Sequence, residues 1–119
     1  MKAVYIRSFG GPENLEVRDV PEPPPPSGTQ VLVRVRAAGL NRADLLQRKG
    51  AYPPPQGHSA NIPGLEFAGE VAAIGGEVTE YKFGDRVFGI TAGEAQAEFL
   101  LTDRRVLARI PDNLSFTEA

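Results

Sequence analysis

Asn41, Asp44, Tyr52 and Glu66 fall within one stretch, AAGLNRADLLQRKGAYPPPQGHSANIPGLEFAGE, which sets a helix start and a phenol beside an acid among apolar neighbours. That combination of polar groups suggests a site. The helix is legible locally. Asn41 can accept backbone N–H bonds as its N-cap, Asp44 places a charge near the positive end, and Gly50 suits the left-handed position past the last turn. Residues 41–49 are therefore predicted to form about two and a half turns.

The elements that must position this stretch are short strands. Residues 1–7 alternate, with Ala3, Tyr5 and Arg7 on one face and Lys2, Val4 and Ile6 on the other, before Gly10-Gly11-Pro12 turns the chain. Residues 15–20 form a second strand, with Leu15 and Val17 sharing a face, and the two read as a hairpin. The run 21–26, PEPPPP, lacks the donors a sheet needs and is predicted to be an extended connector on the surface. Residues 30–38 form a half-buried strand with Val31, Val33 and Val35 inward. Tyr52 and the three prolines after it begin a loop, in which His58 is expected to be a solvent-exposed bystander. Further strands are predicted at 67–74, 85–90, 95–101 and 106–110. Ser115 and Glu118 have capping-box spacing, which announces a helix start and reads as the beginning of a segment beyond residue 119.

Composition narrows the function. Thirteen Lys and Arg against fifteen Asp and Glu give a net charge of -2, which supplies no field for nucleic acid or an anionic membrane. No apolar run approaches the roughly 20 residues that span a bilayer, and MKAVYIRSF lacks the build of a signal peptide, so a cytoplasmic protein is expected. Cysteine is absent and His58 is the single histidine, which leaves no disulfide and no common Cys/His zinc site. Thirteen Gly and eleven Pro between short apolar segments fit a mainly β domain with many turns.

Several separated motifs resemble one family. GGPENLEV, AAGLNRADLLQRKGAYPPP, IPGLEFAGEVAAIG, the run VTEYKFGDRV at 78–87, AQAEF and IPDNLSFTEA look like the amino-terminal domain of the medium-chain dehydrogenase/reductase superfamily, closest to its zinc-independent quinone oxidoreductase branch. In the zinc enzymes of that superfamily a cysteine and a histidine hold the metal at positions that here are Asn41 and Leu65. Leucine has no lone pair and an amide is a poor substitute for thiolate, so no metal is expected. The lobe that carries structural zinc in those relatives is also missing, because Asp85-Arg86-Val87 runs straight into Phe88-Gly89-Ile90.

The resemblance implies a GroES-like, partly open β-barrel with short helices over residues 1–119, working beside a nucleotide-binding Rossmann domain in a longer chain. No glycine-rich phosphate loop occurs here, so these residues alone are not expected to hold a dinucleotide or turn over substrate. The implied reaction is hydride transfer from NADPH to a quinone or an enone by a homodimeric enzyme. Tyr52 and Asn41 are then the catalytic candidates, as O–H and amide donors to a growing oxyanion, and Asn41, Arg42 and Asp44 the cofactor-binding candidates. Asp44 equally serves the helix start, and Glu66, if buried, must be paired or protonated. Two other readings share this domain: a non-enzymatic GroES-like assembly module and an enoyl-type reductase.

Overall fold

The computed structural model describes residues 1–119 and contains seven strands, which form two antiparallel sheets. β1 (Lys2–Ile6) and β2 (Leu15–Asp19) pair as the predicted hairpin, with a single 3-10 turn at Pro12–Asn14 between them. β3 (Gln30–Ala38), β4 (Glu66–Ile74), β5 (Arg86–Ile90), β6 (Phe99–Asp103) and β7 (Leu107–Arg109) make a five-stranded sheet in the order β6-β3-β4-β5-β7. One helix, α1 (Arg42–Arg48), bridges the two sheets' loops.

Chain connectivity forces that sheet to curl. Its two edge strands, β6 and β7, are joined only by a 3-10 turn at Arg104–Val106. Flat strands at about 4.8 Å spacing would put the edges about 19 Å apart, beyond the roughly 14 Å that four residues reach. The edges approach without pairing, so the barrel is partly open, as the family resemblance implied. Register shifts in the β3–β4 ladder, between Leu32 and Val33 and between Val35 and Ala37, supply part of the bend. Gly69 sits opposite Val35, where a Cβ would fall 2.2 Å from the Arg34 carbonyl oxygen, so only glycine permits the strands to close there.

The alternation in β3 places Val31 and Val33 in the core with no exposure, packed on Phe67, Val71, Val87 and Leu100, and Val35 packs at the edge of this cluster. Each fully buried side chain of this kind contributes about 1.5–3 kcal/mol. A smaller cluster of Ala3, Ile62 and Ala97 joins the hairpin to the barrel. At the barrel rim, Asp85 is held below the usual carboxylate range: burial opposes ionisation, but the Lys82 N–H bond and the Arg109 guanidinium outweigh it.

One strand expectation needs correction. The predicted strand at 95–101 begins four residues later, because 95 and 96 bond instead to the loop carrying Pro63 and Gly64, and Ala97 makes only an isolated bridge to Ala3. In β1 the buried residues are Ala3 and Ile6, from opposite predicted faces. Ile6 is covered because Asn61 bonds its backbone from both its own backbone and its side chain. β2 buries neither face, and Val17 is 72% exposed. The Ser115–Glu118 capping box is formed, with Glu118 Oε2 accepting from Ser115 N–H at 2.8 Å.

Candidate functional site

Helix α1 presents two different sides. Its inward side is polar yet buried: Asp44 is 8% exposed and Gln47 3%. The Asp44 carboxyl accepts from Asn41 N–H (2.8 Å), from Gly64 N–H (3.0 Å) and from Gln96 Nε2 (3.4 Å). Gln47 Nε2 donates to the carbonyls of Ala60 (3.1 Å) and Ile62 (3.5 Å). Arg48 and Gly10 exchange bonds at the helix end, Arg48 Nε to Gly10 O at 3.1 Å and Gly10 N–H to Arg48 O at 2.9 Å. Three separate loops are thereby fastened to a helix of seven residues, too short to be stable alone. Gly64 is required in this lattice: its φ is +115°, and a Cβ there would lie 2.6 Å from Gln96 N.

The predicted cap is present, with Asn41 as N-cap and Gly50 left-handed at φ +79°. Within the capping-box arrangement the bond of full geometry runs from Asn41 N–H to Asp44. The Asn41 side-chain Nδ2 is buried and has no hydrogen-bond partner. A buried donor left unpaired is uncommon and costs about 1–3 kcal/mol. Arg42, beside it, is exposed and makes no ion pair or hydrogen bond. Tyr52 is 40% exposed and its hydroxyl makes no bond within the protein. Leu40 (85% exposed) and Leu45 (51%) add apolar surface to the same helix.

The structure therefore groups Asn41, Arg42 and Asp44 in one turn, with Asp44 and the Asn41 amide nitrogen buried and Arg42 exposed. Tyr52 stands past the opposite helix end, and a seven-residue helix is about 10 Å long, so Tyr52 and Asn41 share no hydrogen bond. Glu66 is exposed, contrary to the buried acid the sequence suggested. Its side chain lies over Gly39, where a Cβ would meet its carboxyl oxygen at 1.8 Å. Leu65 is half-buried and its carbonyl accepts from Thr91 N–H at 2.8 Å. No three of His, Cys, Asp or Glu gather anywhere in the chain.

Two concave regions lie elsewhere. A cleft of about 1020 Å³ is bounded by Tyr5, Pro23, His58, Thr91, Glu94 and Leu101, and a groove of about 410 Å³ by Gly39, Glu66, Phe88, Ile90 and Phe116. Asn41, Arg42 and Tyr52 line neither: Arg42 and Tyr52 are exposed, and the Asn41 amide nitrogen is buried. His58 departs from expectation, since it is half-buried and its Nδ1 lies 3.0 Å from Glu94 Oε2. Glu94 is the functional candidate that sequence reasoning missed. It carries the chain's one positive φ outside glycine, +69°, a conformation that no residue pattern announces.

Residues 27–112 match the family model of the alcohol dehydrogenase GroES-like domain. A quinone oxidoreductase of Pseudomonas aeruginosa is 42% identical over 119 residues, which cover 99% of this chain and 36% of that protein. The crystal structure of human synaptic vesicle membrane protein VAT-1 homolog-like protein superposes with a TM-score of 0.89 at 37% identity, covering 100% of this chain and 37% of that one. Escherichia coli quinone oxidoreductase complexed with NADPH gives a TM-score of 0.86 at 31% identity, covering 98% of this chain and 35% of that one. The chain spans about a third of the length of these relatives.

Proposed function

This chain belongs to the alcohol dehydrogenase GroES-like domain family, the amino-terminal domain of the medium-chain dehydrogenase/reductase superfamily, and from that premise we propose that it forms the substrate side of an NADPH-dependent, zinc-independent quinone reductase. The observation that carries this reading is the buried, unpartnered Nδ2 of Asn41 at the N-cap of α1, next to the exposed Arg42. An orphaned amide donor has the capacity to take an oxygen acceptor. The carboxamide oxygen of a nicotinamide, or the carbonyl of a bound quinone, is such an acceptor, so the residues present fit the cofactor.

When bound, NADPH supplies the hydride. Everything else falls to residues that hold and polarise. Asn41 donates to an oxygen of the cofactor or substrate. Arg42, with a free guanidinium, faces the phosphate charge of the cofactor. Asp44 touches neither and fixes the turn that carries both. Tyr52 O–H donates to the substrate oxygen, where charge grows as hydride arrives at the ring; a donor already in place stabilises that charge without reorganising. Asn41 and Leu65 offer a zinc ion neither thiolate nor imidazole, so this polarisation has to come from O–H and N–H donors. The nucleotide's phosphates are held mainly by a second domain in the full-length protein, and the 119 residues alone turn over no quinone.

The test is made in the full-length protein. Tyr52→Phe should lower kcat for NADPH-dependent reduction of several quinones by about ten- to a hundredfold, while NADPH affinity stays as in the wild type. Undiminished turnover on all of them would remove Tyr52 from the chemistry.

A further inference from the structure

Beyond Ala51, whose N–H bonds to Leu46 O, the backbone makes no hydrogen bond to the rest of the protein until the end of the strap that carries Tyr52. Residues 53–55 are prolines without donors, and the amides of Tyr52, Gln56 and Gly57 have no partner. The first tie beyond that span is the His58 side chain, with Nδ1 3.0 Å from Glu94 Oε2. Glu94 belongs to a rigid frame. Its N–H bonds Ile62 O (3.3 Å), Ala95 N–H bonds Gly64 O (3.2 Å), and Gln96 Nε2 reaches Asp44 beneath α1.

Glu94 also holds a left-handed backbone that an L side chain rarely adopts. Glycine would take that conformation without strain, and Gly93 precedes it, yet the strained position carries the carboxylate. We propose that Glu94 and His58 form a latch that sets where the Tyr52 strap lies, making both of them positioning residues for the reduction. The role rests on the reading of Tyr52 as donor to substrate. His58 can donate this bond from Nδ1 as a neutral tautomer or as imidazolium, so the latch does not require charge. The other acidic groups facing the same cleft are Glu22 and Asp103, the latter engaged by Arg105 and Thr29.

Four variants of the full-length protein test the latch by amide exchange at residue 58, whose N–H donates to Pro55 O at 3.2 Å, and by quinone-reduction kinetics. Glu94→Ala and His58→Ala should speed exchange at the residue 58 amide and lower kcat/KM on the order of tenfold, since a misplaced group costs that much or more. Glu94→Gln keeps an acceptor for Nδ1–H and should stay within about twofold of wild type. Glu94→Gly relieves the positive-φ strain, so its Tm should equal or exceed that of Glu94→Gln while kcat/KM falls as in Glu94→Ala. Activity that follows Tm, with Glu94→Gly as active as wild type, would show a merely structural Glu94 and overturn the proposal. Unchanged exchange in Glu94→Ala would overturn it independently of any chemistry. Faster exchange alongside a fully active Tyr52→Phe would preserve the latch and reject the role of Tyr52.

Discussion

The two sides of helix α1 differ in how completely their polar groups are paired. Inward, Asp44 and Gln47 are buried and bond to the loops at residues 60–64 and to Gln96. Outward the Arg42 guanidinium is unpaired and the Tyr52 hydroxyl just past the helix is free, and at the N-cap the buried Asn41 amide is orphaned. Folding requires the first side to be satisfied, because unpaired buried groups cost stability. The second side is tolerated, which marks it as the side kept for something other than the protein itself. Stability and function should therefore separate along the helix.

The largest expected effect is on the inward side. Asp44→Ala leaves the N–H groups of Gly64 and Asn41 without acceptors and opens a space among three loops, and should cost about 3 kcal/mol in denaturant unfolding. A loss below about 1 kcal/mol would mean that Asp44 is not the anchor. Gln47→Ala comes next. It unties Ala60 and Ile62 carbonyls, one of them only partly buried, and should cost about 1–2 kcal/mol with kcat little changed. A larger fall in kcat than in stability would put Gln47 on the functional side of the comparison.

The inward side was partly legible in the sequence and the outward side less so. The helix span came from Asn41, Asp44 and Gly50, because caps act within one turn and are written in adjacent residues. β3 was legible because Val31 and Val33 alternate over a half-buried surface, and β2 was legible as a strand from residues such as Val17, which has strand propensity although nothing packs over it. The later start of β6 and the pairing of His58 with Glu94 depend on which loops lie side by side, residues 62–64 against 94–96, and no local pattern encodes that. Glu66 looked buried because Leu65 and Phe67 flank it, but it is the first residue of β4 and its side chain lies over Gly39 at the strand's end, where it is exposed while Ala68 on the same face is buried.

The two smallest effects on stability fall on the outward side. Tyr52→Phe removes a hydroxyl with no partner in the protein and should shift unfolding by no more than about 0.5 kcal/mol, measured alongside the kinetic loss expected of it.

Asn41→Ser is the finest discriminator. Serine is about as good an N-cap as asparagine, and the bond that closes this helix start runs from the residue 41 backbone N–H, which the change leaves in place. The substitution deletes only the orphaned Nδ2 donor, whose burial unpaired is a cost, so stability should be unchanged or raised by a few tenths of a kcal/mol, about the size of a surface substitution. NADPH binding to the full-length protein should nonetheless weaken by about tenfold, the loss of one well-placed hydrogen bond worth about 1.4 kcal/mol. A stability loss above about 1 kcal/mol with NADPH affinity intact would show that the amide serves the fold, and the two sides of α1 would then be one.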